Sequence, residues 1–181
     1  RYQGHTYGIT LLTNGTENDI SAYLLASLLA GQLNHLGALA KPIEKASPQR
    51  LNILPDMLDI IYDENLSFDE MLRLIVQLIG QHLGYPIVKI YLLSPTDSKL
   101  ICHSTYSQFT DNPVDSPIDY VSDSWAWAIV SDLQTRHLDQ QPTDDSYDTL
   151  NWYPDTKEQL LCPLIVEQEA LGILQIQTTE N

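Results

Sequence analysis

The hydrophobic pattern of this chain changes its period near residue 85, and that change restricts the possible folds more than any other feature of the sequence. Ser67 and Glu70 stand at the two ends of a capping-box motif. A stripe of apolar residues at spacings of three and four follows, and Gly84 closes it. From Pro86 the period becomes two, which is typical of strands. The sequence therefore predicts an amphipathic core helix over residues 67–84, placed directly before a sheet.

Two hairpins are predicted after this helix. Residues 86–93 and 99–106 form one, and residues 159–167 and 170–178 form the other, with a turn at 168–169. In the last strand the apolar residues alternate with Gly172, Gln175 and Gln177. A short helix from Trp125, a short strand at 134–139 and two long polar loops lie between the hairpins. We expect an α+β fold with a five- or six-stranded antiparallel sheet and helices packed on one face.

The chain divides into three parts by pattern. Residues 1–45 predict a strand at 5–13 and a long helix, either the end of a preceding module or an N-terminal extension. Residues 46–66 form a linker and a short helix at about 55–64, and residues 67–181 form the main domain. On the long helix, four leucines are predicted to face a partner helix: Leu25, Leu29, Leu33 and Leu36.

Composition excludes several classes of function. The 24 Asp and Glu residues outnumber 9 Lys and Arg, for a formal charge of −15. Binding to nucleic acid or to an anionic membrane relies on clustered Lys and Arg, so neither is expected. No apolar run approaches the roughly 18 residues of a membrane-spanning helix. The first residue is not Met, and we expect the chain to be part of a longer cytoplasmic protein.

Residues 67–177 resemble the GAF family of sensory domains. The helix and first hairpin are similar to that family's opening, and the run from Ser124 through Asp139 is similar to its short helix and strand. The most specific resemblance is in the last hairpin, where Leu-Cys-Pro precedes a turn and the strand Leu171-Gly172-Ile173. Residues 7–12 with the following helix resemble the end of another such domain, whereas the chain stops where the C-terminal helix of residues 67–181 would begin.

The resemblance implies a ligand pocket between the sheet and the crossover segments, residues 108–158, where all three tryptophans lie. A pocket needs apolar walls and a few oriented polar groups. The alternative is that the tryptophans only close the core. The candidate ligand-binding residues are Tyr106, Trp125, Trp127, Ile129, His137, Trp152 and Tyr153.

Specific ligands find little support in the residues. Residues 111–158 carry eleven acidic residues against Arg136 and Lys157, a net −9 that disfavours a cyclic nucleotide. Cys102-His103 matches the dipeptide that attaches a bilin in phytochrome-like relatives, but it lies in a strand instead of the crossover segments. On that strand Cys102 is expected to share a face with Leu100, Ser104 and Tyr106. No metal site is predicted, and the sequence identifies no cofactor.

Taken together, these features favour a non-catalytic sensory or regulatory domain of the kind joined to histidine kinases in two-component systems. It would bind a small ligand, form a homodimer and act on an output domain through its flanking helices. One alternative is a dimerisation or scaffold module with no ligand. A second is a light or redox sensor based on a bilin or on Cys102 and Cys162. An enzyme is not expected, because a GAF-type thiol reductase needs a reactive Cys in the crossover segments and residues 103–161 contain none.

Overall fold

The computed structural model describes residues 53–94, 96, 99–109, 118–119, 125–139, 152–153, 155–166 and 168–179. The strand and long helix predicted within residues 1–45, including the four leucines, lie outside these residues. No helix in the described part of the chain is long and apolar enough to cross a membrane.

Two helices precede the sheet, α1 (Ile53–Ile61) and α2 (Phe68–Leu83). The predicted capping box is present at the start of α2: the backbone N–H of Glu70 donates to Ser67 Oγ, and the backbone N–H of Ser67 donates to Glu70 Oε2 at 3.0 Å. Gly84 ends the helix with φ 74°, a left-handed conformation that glycine adopts without strain. The helix predicted over residues 67–84 is therefore present almost residue for residue.

Six strands form one antiparallel sheet. They are β1 (Ile87–Leu93), β2 (Lys99–Ser107), β3 (Ile118–Asp119), β4 (Arg136–Leu138), β5 (Glu158–Val166) and β6 (Glu169–Thr178), and a third helix, α3 (Trp125–Asp132), lies between β3 and β4 in sequence. The order across the sheet is β3-β2-β1-β6-β5-β4. The predicted α+β class with a five- or six-stranded antiparallel sheet is confirmed, and the short β3 is the strand that the sequence did not indicate.

The sheet carries a separate apolar cluster on each face. On one face α1 and α2 pack over alternate residues of β1, β5 and β6, including Val88, Ile90 and Leu174. On the other face the buried residues Ala126 and Ile129 of α3 pack over the sheet. They contact Tyr91, Leu100, Leu161 and Ile173. The two longer helices share one face as predicted. The third helix lies on the opposite face, and both faces of β1 are therefore buried.

Local details of the strands follow the sequence. Pro163 occurs in the middle of β5, where a missing N–H would normally interrupt a ladder. The neighbouring β4 pairs only with residues 159–161, so no described strand lies beside Pro163 on that side.

The α1 helix places Ile53 and Met57 in the core beneath α2, at 5% and 0% exposure.

Candidate functional site

The sheet face that carries α3 has two chemically different ends. The apolar end comprises Tyr91, Leu100, Leu161 and Ile173 beneath α3. Farther along the same strands the residues become polar, and these residues form the polar end: Lys89, Gln159, Gln175 and Gln177. All four are long side chains with exposures of 2% or less.

Strand alternation places these four residues on the α3 face. Val88 and Ile90 belong to the core under α1 and α2, so Lys89 between them points to the opposite side. The same reasoning applies to Gln175 and Gln177, which flank the core residue Ile176.

The strand register brings the four residues together. Lys89 is paired with Gln175, and Gln177 is paired with Gln159. Directly opposed residues in an antiparallel pair have Cβ atoms about 4.5–5.5 Å apart, so each of these pairs stands side by side on the same face. On its other side Lys89 is paired with Thr105 of β2.

A chain of contacts crosses the polar end from β2 to β6. Ser107 Oγ accepts a hydrogen bond from the backbone N–H of Phe109 at 3.1 Å. The Phe109 ring stacks on Tyr153, with centroids 4.7 Å apart and planes inclined by 11°. Gln177 Oε1 then accepts hydrogen bonds from the Tyr153 backbone N–H at 3.0 Å and from the Thr156 hydroxyl at 2.9 Å. The stacked pair of Phe109 and Tyr153, here called the aromatic cover, thus joins two parts of the crossover segments, and Gln177 ties it to β6.

The polar end has an unusual charge for a protein interior. Lysine is almost never fully buried unless its charge is compensated, because removing an ammonium from water is unfavourable. Arg136 of β4 lies nearby on the same face, next to Leu161, but its guanidinium is paired with Asp132 at the end of α3. The polar end thus contains one buried lysine and three buried glutamines, and each glutamine amide has groups that donate and groups that accept hydrogen bonds.

The structure brings three of the predicted ligand-binding residues to this face. Trp125 and Ile129 belong to the apolar end, where Ile129 is fully buried and Trp125 packs beside it. Tyr153 forms half of the aromatic cover. Trp152 is half-buried beside Tyr153 in sequence.

Three other predicted residues lie elsewhere. Tyr106 packs against α2 on the opposite face, where a Cβ on Gly80 would lie 2.0 Å from its ring. Trp127 is on the outer side of α3, with 39% of its surface exposed. His137 is exposed on β4, and its Nε2 lies 3.3 Å from Glu158 Oε2. None of these three packs against the sheet face that carries Trp125 and Ile129.

The Cys102 prediction is also corrected. A shift of register between Ile90 and Tyr91 pairs Ile90 with Ser104 but Tyr91 with Cys102. Cys102 therefore shares the α3 face with Leu100, as predicted, whereas Ser104 and Tyr106 point to the face with α2. A bulge of this kind cannot be read from alternation alone, since it adds one residue to one strand.

The two cysteines are reduced and lie far apart. Cys162 is buried on the face with α1 and α2, whereas Cys102 packs on the α3 face. Two strands separate β2 from β5, so the thiols are about 14 Å apart across the sheet. A disulfide needs Cα atoms within about 7 Å, so these thiols cannot form a redox pair in this fold. Burial raises the pKa of the Cys162 thiol to about 11, against a smaller opposing effect of Thr135.

The four residues of the polar end were not among the predicted site residues. Gln175 and Gln177 carry a signal in the sequence, since they alternate with apolar residues, but alternation alone suggests a solvated face. The sharper signal is Lys89, the single charged residue within the strand Ile-Val-Lys-Ile-Tyr-Leu-Leu.

Comparison with known proteins identifies the fold. No family model matches the chain, and no curated protein matches it. Solved structures do match. The GAF domain of an Acinetobacter phosphoenolpyruvate-protein phosphotransferase is 14% identical, with a TM-score of 0.61 over 74% of this chain and 80% of that chain. The free methionine-R-sulfoxide reductase of Neisseria meningitidis in complex with its substrate is 12% identical, with a TM-score of 0.58 over 72% and 74%.

A third match is the phycoerythrobilin-bound GAF domain of a cyanobacterial phytochrome, 17% identical, with a TM-score of 0.53 over 75% of this chain and 83% of that chain. These likenesses show that the chain has the GAF fold, as the sequence resemblance implied. Proteins with this fold include an enzyme as well as sensory domains, so function has to be argued from the site.

Proposed function

We propose that this chain is a non-catalytic sensory or regulatory domain that binds a small molecule at the polar end of the α3 face. The observation that carries this proposal is the set of four long polar side chains, each 98% or more buried, beside the apolar residues that pack against α3. Binding would alter the Phe109–Tyr153 pair and would be passed on through the flanking helices.

The polar end has the composition of a ligand site. Small-molecule sites combine apolar and aromatic walls with a few polar groups that fix orientation. Here Tyr91 and Ile173 lie on one side, and the stacked rings of Phe109 and Tyr153 lie on the other. Stability alone does not call for Lys89 or the glutamines, because apolar side chains occupy the equivalent positions under α3.

Native mass spectrometry of gently purified protein, with an absorption scan, tests the proposal. We expect a mass above that of the polypeptide, and we expect Gln175→Leu to lose it. Gln81→Leu is the matched control, because Gln81 is exposed on α2 at the opposite face. A bare polypeptide mass for the unmodified protein would contradict ligand binding.

A dimerisation module is the second candidate, and α1 provides the observation that favours it. Leu58 and Tyr62 stand four residues apart on or just after α1 and are 44% and 55% exposed. Apolar residues at this spacing form one stripe along a helix. In the same native mass spectrum, a mass equal to two polypeptides without ligand would favour the dimerisation module. A homodimer, an output domain such as a histidine kinase and a cytoplasmic location belong to the main proposal as well, on the strength of the resemblance.

The absence of catalysis is part of the proposal and is supported by the thiols. The sulfoxide reductase with this fold raises the question of thiol chemistry, but Cys162 is fully buried with a raised pKa. Cys102 is half-buried, and its Sγ lies 3.2 Å from Thr105 Oγ1. Reactive thiols are accessible and have lowered pKa values. Bilin attachment at Cys102 is the remaining alternative on this face, and the absorption scan tests it through a visible band.

A further inference from the structure

We propose that Gln177 is a latch that fastens the aromatic cover to the sheet, and that the cover opens as one unit when the two hydrogen bonds to Gln177 Oε1 break. The latch consists of contacts within the chain and operates without a ligand. The further step, in which opening admits a ligand to the polar end, rests on the proposed function.

The latch joins the chain just before β5 to the end of β6. Gln177 Oε1 accepts hydrogen bonds from the Tyr153 backbone N–H at 3.0 Å and from the Thr156 hydroxyl at 2.9 Å. At the next residue of β6, the Thr178 carbonyl oxygen accepts from the Lys157 backbone N–H at 2.8 Å. Gln177 is fully buried, and a buried acceptor that loses its donors is unfavourable until water replaces them. Opening of the latch therefore brings water to the Gln177 side of the polar end.

The backbone beside the latch has a conformation that depends on its contacts. Asp155 stands in a turn next to Thr156 with φ 69°, in the left-handed region that residues other than glycine seldom occupy. Such a conformation persists where the surrounding structure holds it. The Thr156 backbone N–H also donates to the Tyr153 carbonyl oxygen at 3.1 Å, so the two residues that bind Gln177 bind each other. We therefore expect Tyr153 and Thr156 to leave Gln177 together.

Ring stacking extends the latch to the end of β2. The Phe109 and Tyr153 rings are 4.7 Å apart and nearly parallel. Stacked aromatic pairs contribute more than the burial of their area alone. On the β2 side, the Phe109 backbone N–H donates to Ser107 Oγ at 3.1 Å, and that hydroxyl lies 3.3 Å from the Phe109 carbonyl oxygen. When Tyr153 leaves Gln177, Phe109 loses its stacking partner, so the two halves of the cover should open together although they are distant in sequence.

Amide hydrogen exchange, measured by NMR on the full chain, tests the latch. The Tyr153 amide reports on its own bond to Gln177, and the Phe109 amide reports on the other half of the cover. We expect the two amides to exchange through one opening with the same protection factor. That protection should be lower than the protection of Ile90 in the buried core of β1, because the cover opens without unfolding the sheet.

Thr156→Val breaks one latch bond and leaves Gln177 in place. We expect exchange of the Tyr153 and Phe109 amides to accelerate by the same factor, about two- to tenfold, the size expected for one hydrogen bond between neutral groups. Thr156→Ser keeps the hydroxyl and should preserve the slow exchange. Thr135→Val is the matched control, because the Thr135 side chain is hydrogen-bonded to Cys162 on the opposite face. It should leave both amides unchanged.

Phe109→Leu is the reciprocal variant. It removes the ring stack without changing the hydrogen bonds to Gln177, and we expect it to accelerate exchange of the Tyr153 amide. The Glu70 amide is the internal control, because it also donates to a serine Oγ but does so at the start of α2. Its exchange should be the same in every variant.

The possible results separate the latch from the proposed function. The latch is overturned if the Phe109 amide keeps its protection in Thr156→Val, if the Tyr153 amide keeps its protection in Phe109→Leu, or if both are as protected as Ile90. An equal acceleration of the Glu70 amide also overturns it. The native mass spectrum of the unmodified protein decides the proposed function independently. Coupled exchange with a bare polypeptide mass leaves the latch and removes the ligand site, whereas a bound ligand with uncoupled exchange does the reverse.

Discussion

Gly172 of β6 marks a position where the sheet leaves no room for a side chain. It is paired with Leu92 of β1 and with Leu164 of β5. A Cβ at this position would lie 2.0 Å from the carbonyl oxygen of Tyr91 and 3.0 Å from Leu92 Cα. Both obstacles are backbone atoms of the neighbouring strand, which cannot turn aside as a side chain can. Gly172→Ala must therefore push β1 and β6 apart.

Two opposing effects decide the size of this change. Among the described glycines only Gly84 has a positive φ, so alanine can adopt the backbone conformation at residue 172. Reduced freedom of the unfolded chain would then stabilise the variant by about 0.4–1 kcal/mol. Overpacking in a core typically costs about 1–3 kcal/mol, and a backbone obstacle favours the upper part of that range. The net expectation is a loss of about 2 kcal/mol in the free energy of unfolding.

Urea denaturation followed by tryptophan fluorescence measures the effect of Gly172→Ala. We expect a lower midpoint with an unchanged m-value, and a fall in Tm of about 4–8 °C for a chain of this size. Leu171→Ala serves as the control, because Leu171 is the next residue in β6 and is 38% exposed, so its loss should matter less. A Gly172→Ala variant as stable as the unmodified protein would show that the strands adjust freely and would refute the steric argument.

Two further predictions concern stability. Ser67→Ala removes the cap of α2 and should lower the free energy of unfolding by about 1 kcal/mol. Hydrogen bonds from the Ser67 side chain and then its backbone lower the pKa of Glu70. The stabilisation from Glu70 is therefore present above its unfolded pKa and is lost as the pH falls through the folded value. Urea midpoints at neutral and acidic pH test this, and an equal acid loss in Ser67→Ala would contradict it. For Cys162, burial raises the pKa from 9.0 to about 11, so the unfolded thiol ionises first and stability should fall above pH 9. Denaturation at pH 8 and pH 10.5 should show a smaller fall in Cys162→Ala, and an identical fall would exclude the thiol as its source.

The elements that the sequence predicts well are those encoded by short-range patterns. The capping box, the apolar stripe and Gly84 specify α2 within eighteen residues, and the structure reproduces each of them. The four long strands begin and end within one residue of their predicted bounds. β3 has no such signal, because it consists of two residues in a polar loop and pairs only with Lys99 and Leu100.

The candidate site depends on contacts that are distant in sequence. The alternation in β6 correctly separates Gln175 and Gln177 from Leu174 and Ile176, but it does not tell what covers the polar side. Gln177 is buried because Tyr153 and Thr156, more than twenty residues earlier, bind its side-chain oxygen. Tyr106, a candidate pocket residue, is paired with Val88 on the face that α1 and α2 cover, and the register shift beside Tyr91 puts Cys102 on the other face.

Fold stability accounts for the residues at the apolar end of the α3 face but not for those at its polar end. At the apolar end, Tyr91, Leu161 and Ile173 pack against α3, and burial of apolar surface is sufficient reason for their presence. At the polar end, apolar residues of similar size would avoid the unfavourable desolvation of Lys89 and three amides, and replacing buried polar groups in this way is often neutral or stabilising. Residues that oppose stability in an otherwise consistent fold are expected at functional sites. The polar end is therefore where function should be sought first, and Lys89 is the charged residue among its four buried polar side chains.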